Sequence, residues 1–286
     1  MSRSRRIVFI DVDGTLIDED ERMARSSVQA VRLARANGHL VFVCTGRGRR
    51  EIYPAIRDIG FDGAISAGGG FAEVGGELVI SRTMPIEAAA RMVAFYEDAG
   101  YDYYLQAYDQ LYPSPHVVDR YVGYFGADRL HHQEPHPDMF PVVSADDHPL
   151  IAALADTRRP RFDGIAKSGF LADDLTAFDR VVHAFGDEFH VITGTVPHMG
   201  NGSGEVTLAG VNKGTTIVQL LDLLGMSTAA AIGIGDSMND LEMLEVCGVG
   251  IAMDNASDTV KAHADEVTTA VADHGVWNAF LRHGLL

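Results

Sequence analysis

Short apolar runs, each closed by polar or glycine residues, recur at both ends of the chain and thin out in its middle. "IVFID" at residues 7–11 is one such run and "HLVFVCTGR" at 39–47 is another. A strand buried on both faces of a parallel sheet reads this way, as a continuous apolar run rather than an alternation. Between them, Ser26 to Asn37 reads as a helix, with Gly38 placed to end it. "EIYPAIRDIG" predicts a short second helix and "GAISAGGG" a third strand. Strand, helix, strand, helix, strand is the grammar of a doubly wound sheet. It resumes near Lys213, where Ile217, Leu220, Leu221 and Leu224 follow one helix face up to Gly225. After that "AAAIGIGD", "GVGIAM" and "DEVTTA" predict strands, while "MNDLEMLEV", "ASDTVKAHA" and "GVWNAFLRH" predict helices.

From about Thr83 to Gly204 the texture changes. "YDYYLQAYD" alternates and is rich in aromatics, which predicts a strand with one exposed face. "RYVGYFGADRLHHQEPHPDMFPVVSADDHP" is polar and proline-rich, more loop than element. "FHVITGTVPHMGNGSGE" predicts a strand followed by a glycine-rich loop. The expected fold is therefore α/β, a doubly wound, Rossmann-like parallel sheet core with an inserted α+β domain. The expected division is a first core segment at 1–82, the insertion at 83–204 and a second core segment at 205–286. Neither an internal repeat nor a low-complexity tract is visible.

Composition narrows the picture. The 286 residues are 47% hydrophobic and 22% charged, ordinary for a soluble protein with a sizeable core. Forty acidic against 23 basic side chains give a formal charge of −17. That excess argues against a nucleic-acid or anionic-membrane surface, either of which needs a basic patch. Two cysteines, Cys44 and Cys247, are too few for a disulfide framework and predict buried, reduced thiols. The basic "MSRSRR" precedes only four apolar residues, too short for the apolar core of a signal peptide. No stretch approaches the roughly 18 apolar residues of a membrane span. The expectation is a cytoplasmic protein, monomeric or a small homo-oligomer, without nucleic-acid or membrane partners.

Ligands of open parallel sheets sit outside the carboxyl ends of the strands. The first strand carries Asp11 and Asp13 there, the second Thr45, Gly46 and Arg47, the third "SAGGG". The "AAAIGIGD" strand ends in Asp236, with Asn239 and Asp240 just behind, and Lys213 opens a helix. Positions i and i+2 of a strand share a face, so Asp11 and Asp13 can meet one ligand. Asp11 with Asp236 makes a hard-oxygen site suited to Mg²⁺. Thr45 and Lys213 suit phosphoryl oxygens. A cation at the positive end of a helix dipole is locally unfavourable, which points to a ligand for Lys213. A carboxylate beside a metal and a phosphate can attack phosphorus, and a second one can then serve as general acid and base.

"DVDGTLID", "CTGR", "NKGTT" and "GDSMND" resemble, in order, the four motifs of the haloacid dehalogenase superfamily of phosphohydrolases. The stretch "GIGDSMNDLEMLEVCGVGIAMDNASDTVKAHADEV" is particularly similar to the Cof-type phosphatases, whose α/β cap is inserted between the second and third motifs. The resemblance implies a Mg²⁺-dependent phosphatase acting on a small phosphorylated metabolite, a sugar phosphate first among them, through an aspartyl-phosphate. It implies that Asp11 is the nucleophile, and that Asp13 is the general acid and base, with its carbonyl on the metal. It implies that Thr45, helped by the backbone at Gly46, binds the phosphoryl group, and that Lys213 neutralises its charge. It implies that Asp236 ligates Mg²⁺ directly, that Asp240 supports it through water, and that Asn239 reaches the phosphoryl group or the lysine. The superfamily also contains phosphomannomutase-like enzymes on the same core, and a non-catalytic binding protein of this fold is the remaining alternative. One departure stands out. Gly68-Gly69-Gly70 replaces the usual Asn-Gly-Ala, which removes a side chain that faces substrate in the relatives and leaves room for a different leaving group.

Other features have plainer readings. Arg47 is a candidate substrate contact, while Arg47, Arg49 and Arg50 together also suit a solvated basic face. "GNGSGE" reads as a connection back to the core rather than a phosphate cradle. His131, His132 and His136 are interrupted by prolines and lack ligand spacing, so they read as loop polarity. Tyr101, Tyr103, Tyr104 and Tyr108 read first as the insertion's own core, and second as a surface facing the substrate.

Overall fold

The computed structural model describes residues 5–128, 136–143, 148–156, 161–193 and 200–286. Its first strands are β1 (Ile7–Ile10), β2 (Arg22–Ala24), β3 (Leu40–Cys44), β4 (Gly63–Ser66), β5 (Phe71–Val74) and β6 (Glu77–Ser81). Next come β7 (Asp102–Ala107), β8 (Leu111–Pro113), β9 (Met139–Pro141), β10 (Ile165–Leu171), β11 (Phe189–Thr193) and β12 (Ser203–Leu208). The chain closes with β13 (Ala231–Gly235), β14 (Val249–Ala252) and β15 (Glu266–Val267). The helices are α1 (Arg25–Ala36), α2 (Pro54–Arg57), α3 (Ile86–Ala99), α4 (Val117–Asp128) and α5 (Pro149–Ala155). They continue with α6 (Ala177–Phe185), α7 (Lys213–Leu224), α8 (Leu241–Val246), α9 (Asp258–His263) and α10 (Gly275–Arg282).

One sheet has the order β15-β14-β13-β1-β3-β4-β5-β6, parallel as far as β4 and antiparallel over its last two strands. Alternate side chains of β1 go to opposite faces. Val8 and Ile10 pack with α1 and α10 through Val31, Ala34 and Phe280. Ile7 and Phe9 pack with α7 and α8 through Ile217, Leu221 and Met243. Helices on both faces are the reason β1 reads as an unbroken apolar run. Each of its four side chains is fully buried, which contributes about 1.5–3 kcal/mol apiece.

The intervening chain builds a second, antiparallel sheet in the order β11-β12-β10-β7-β8. α3 and α6 cover one of its faces, burying Met92, Tyr96 and Val181 against Tyr103, Leu105 and Phe170. Several expectations change here. Residues 117–128 are helical rather than loop, because Val117 and Tyr121 lie one turn apart and bury against Tyr104, Leu150 and Leu154. The glycine-rich "GNGSGE" is not all connection, since Ser203 begins β12. That strand runs on to Leu208, so the expected boundary after residue 204 falls inside it. In the core, "DEVTTA" holds the expected short strand as the two residues of β15, and "EIYPAIRDIG" the expected short helix as the four residues of α2. Among the described residues no helix is long and apolar enough to cross a membrane.

Candidate active site

The strand order reverses around β1, whose neighbours are β13 on one side and β3 on the other. That reversal opens a crevice at the carboxyl ends, where Asp11, Thr45 and Asp236 follow their strands. Register places Ile10 beside Ile234 and Val43, and the Asp11 N–H donates to the Ile234 carbonyl at 2.9 Å. Thr15 donates its hydroxyl to Asp236 Oδ1 at 2.9 Å, tying the first loop to the last third of the chain. Gly14 stands between them at φ +80, and a Cβ there would lie 2.1 Å from Asp236 Oδ2. Both the backbone angle and the space therefore require glycine.

Lys213 is the first residue of α7, whose start is capped by a reciprocal Asn212–Thr215 pair. Its ammonium is 1% exposed and sits 2.6 Å from both Asp11 Oδ1 and Asp240 Oδ1, with Asn239 Oδ1 at 3.4 Å. Burial opposes its charge, but Asp11 and Asp240 outweigh that and raise the lysine above its usual range. Asp240 turns its other oxygen to the backbone N–H groups of Asp236 and Ser237, both at 3.1 Å. It thus fixes the turn that carries Asp236. Burial and the charge of Asp240 lift Asp11 well above the carboxylate range, in spite of Lys213. The same two causes push Asp236 up to about 7.

Three carboxylates thus share one ammonium, and Asp11, Asp236 and Asp240 each offer an oxygen within 4.8 Å of the others. Such a hard-oxygen set with unbalanced negative charge fits a divalent cation of the Mg²⁺ kind, which would invert the local titration.

Asp13 stands apart from that cluster. Arg47 forks onto its carboxylate, Nε to Oδ2 at 2.8 Å and Nη2 to Oδ1 at 2.7 Å. The Asp13 side chain is 52% open to solvent, and what burial it has tends to raise its pKa. The charge and fork of Arg47 prevail and hold it below the usual range. Arg47 also donates to Tyr53 Oη at 2.9 Å and lies 4.5 Å over that ring. Tyr53 in turn donates to Glu21 Oε1 at 2.8 Å, and His148 of the inserted segment meets the same oxygen at 3.0 Å. Burial tends to raise Glu21, and its bonds from His148 and Tyr53 lower it more.

Thr45 is fully buried, and its Oγ1 accepts the Arg47 backbone N–H at 3.1 Å. Asn239 Nδ2 lies 3.7 Å from where a Cβ on Gly46 would sit. The structure therefore brings Asp11, Asp13, Thr45, Gly46, Arg47, Lys213, Asp236, Asn239 and Asp240 to one sheet edge. The basic run is not a free face. Arg49 pairs with Glu73 at 2.8 Å and Arg50 with Asp156 at 2.5 Å. Tyr101 and Tyr103 join the inserted segment's core, Tyr104 packs on Tyr121, and Tyr108 donates to Glu73 at 2.5 Å. His131 and His132 lie outside the described residues. Gly68 takes a left-handed conformation with nothing within 4 Å of its would-be Cβ, while a Cβ on Gly70 would meet Ala166 at 2.5 Å.

Sequence reasoning missed Thr15, Glu21, Tyr53 and His148, and on the inserted sheet Gln106, Lys167 and Glu205. Only Lys167 carried a signal, as a lone lysine in the apolar stretch "GIAKSGF" that the structure buries throughout β10.

The family described as haloacid dehalogenase-like hydrolase matches residues 8–280. The chain belongs to this family, and it is an enzyme. A putative phosphatase of Bacillus subtilis, YkrA, is 24% identical over 98% of both chains. The B. subtilis 5-amino-6-(5-phospho-D-ribitylamino)uracil phosphatase YwtE is 27% identical over 95% of both. The pyridoxal phosphate phosphatase YbhA of Escherichia coli is 26% identical over 92% of both. Among solved structures, a haloacid dehalogenase-like hydrolase from B. subtilis superposes with a TM-score of 0.76 at 20% identity. The match covers 96% of this chain and 99% of that one, and it shows the same fold.

Proposed function

We propose that this enzyme is a Mg²⁺-dependent phosphatase that hydrolyses monoesters of small phosphorylated metabolites through an aspartyl-phosphate. The observation that carries the reading is the Lys213 ammonium held 2.6 Å from both Asp11 and Asp240, beside Asp236 and Thr45. Three relatives named as phosphatases, two of them for phosphorylated metabolites, support it. A bound Mg²⁺, held by Asp11, Asp236 and the Asp13 carbonyl with Asp240 behind, supplies charge neutralisation for the phosphoryl oxygens.

Asp11 attacks phosphorus, the ester P–O bond breaks, and the alkoxide leaves with a proton donated by Asp13. Water then loses a proton to Asp13 and attacks the phosphoryl-aspartate, which frees phosphate and restores Asp11. Thr45, the backbone at Gly46, Asn239 and Lys213 orient the phosphoryl oxygens and stabilise the charge that builds on them. Phosphoryl oxygens also compete with Asp13 for Arg47. That competition loosens the fork that keeps Asp13 ionised and lets it take up the proton it must give. The inserted segment acts as a cap over this edge, and its closure keeps bulk water out. Buried free thiols at Cys44 and Cys247 suit a cytoplasmic setting.

The test is Asp11→Asn with p-nitrophenyl phosphate and a sugar-phosphate panel. Turnover is expected to fall by roughly 10³-fold or more, and unchanged activity rejects the nucleophile. Release of free phosphate without a bisphosphate activator separates this hydrolase from a mutase on the same core.

A further inference from the structure

The inserted sheet turns a polar pair toward the core loop that carries Thr45, Gly46 and Arg47. In the β7–β10 register Lys167 lies opposite Gln106, so their side chains leave one face of the sheet as neighbours. Lys167 is 3% exposed and Gln106 is fully buried. Lys167 Nζ donates to the Gly46 carbonyl at 2.8 Å and to Glu205 Oε1 at 2.9 Å. Gln106 Nε2 donates to Glu51 Oε1 at 2.6 Å. A Cβ on Gly48 would stand 2.9 Å from that Nε2, so the amide rests directly on the same loop. Packing alone gives no reason for this pair. A lysine inside an otherwise buried strand carries a desolvation cost that a methionine of similar shape avoids.

Hydrogen-bond accounting shows what is missing. An ammonium has three donors, and Lys167 spends two on Gly46 and Glu205. Gln106 Oε1 is buried and has no partner among the described residues. A buried acceptor left unmade costs about 1–3 kcal/mol. One free donor beside one free acceptor is the complement of a hydroxyl group, which accepts one hydrogen bond and donates another. The charge count agrees. Glu205 already answers Lys167, and Glu51 adds another carboxylate, so a second anionic group on the ligand meets net negative surroundings. Gly46 directly follows Thr45, so a hydroxyl at this place belongs to the alcohol half of an ester whose phosphoryl group lies at Thr45.

We infer that Lys167 and Gln106 read a hydroxyl of the leaving group and so set the selectivity of this site from the inserted sheet. The inference rests on the phosphatase reading, and the experiment separates the two.

The wild-type enzyme is assayed on p-nitrophenyl phosphate and on two matched pairs. The pairs are ribitol 5-phosphate with pentyl phosphate, and glucose 6-phosphate with cyclohexylmethyl phosphate. No hydrolysis of any ester rejects the phosphatase reading itself. Hydrolysis with kcat/KM at least about tenfold higher for the hydroxylated member of a pair is the expected result. Equal kcat/KM within both pairs overturns the hydroxyl inference alone, without recourse to any variant. In Gln106→Leu and in Lys167→Met the preference is expected to collapse to about twofold. A preference retained in both variants overturns the assignment of these two residues.

Discussion

Two lysines are buried at this edge, and they are treated differently. Lys213 faces two carboxylates with a third close by, so its surroundings carry more negative charge than it neutralises. Lys167 faces one carboxylate and one backbone carbonyl, next to an uncharged amide. In the proposed reading, the first arrangement attracts a cation and stabilises a transferring phosphoryl group. The second leaves its lysine already answered by a carboxylate, with directional hydrogen bonding to offer. In that reading the core supplies field and the inserted sheet supplies shape and valence, a separation of rate from selectivity along the two sides of one crevice.

The largest expected break of this contrast is Lys213→Met. It removes the ammonium that holds Asp11 and Asp240, and turnover of p-nitrophenyl phosphate should fall by about 10²–10³-fold or more. A loss of less than tenfold contradicts the role given to Lys213.

Metal removal sharpens the contrast next. Burial and Asp240 hold Asp236 at about 7 and Asp11 well above the usual carboxylate range, so without metal these two groups keep protons in the folded protein that they lose in the unfolded chain. Stability must then fall as pH rises from about 4 toward 7. In EDTA the melting temperature is expected to drop across that window, and Mg²⁺ is expected to raise it most at neutral pH. A melting temperature indifferent to Mg²⁺ at pH 7.5 counts against the acidic site.

The smallest effects concern how closely the two sides approach. Gly70→Ala sets a methyl 2.5 Å from Ala166 of the inserted sheet, and should cost about 1–3 kcal/mol or force the sheet outward. Gly68→Asn has open space and a left-handed backbone that asparagine tolerates. It should change stability by no more than about 0.5 kcal/mol in urea titrations. A larger loss in Gly68→Asn than in Gly70→Ala reverses the reading of this loop.

The core was legible because its strands are buried on both faces and end in chemistry. "IVFID" and "AAAIGIGD" each read as a buried strand ending in an acid, and once they pair they carry Asp11 and Asp236 to the same edge. The family match over residues 8–280 agrees with the motifs that announced it. The inserted region was less legible, because glycines and polar residues interrupt its apolar pattern. α4 lacks a clean apolar stripe, since Gly123 and Gly126 interrupt it and Tyr121 finds its place only against Tyr104. Ser203 joins a strand that its glycine neighbours disguise. Tyr53, Glu21 and His148 form a chain to Arg47 only through three separate segments, and no local spacing announces such a contact.

The pairing of β1 with β13 joins residues 224 positions apart, Ile7 with Ala231. While the chain is being made, this fully buried apolar strand therefore waits with one edge unpaired until β13 has been made. The same delay keeps Asp11 without Lys213 and Asp236 throughout synthesis, so no phosphate chemistry can start on a nascent chain. Truncated products that lack β13 should then be both inert and prone to edge-to-edge association.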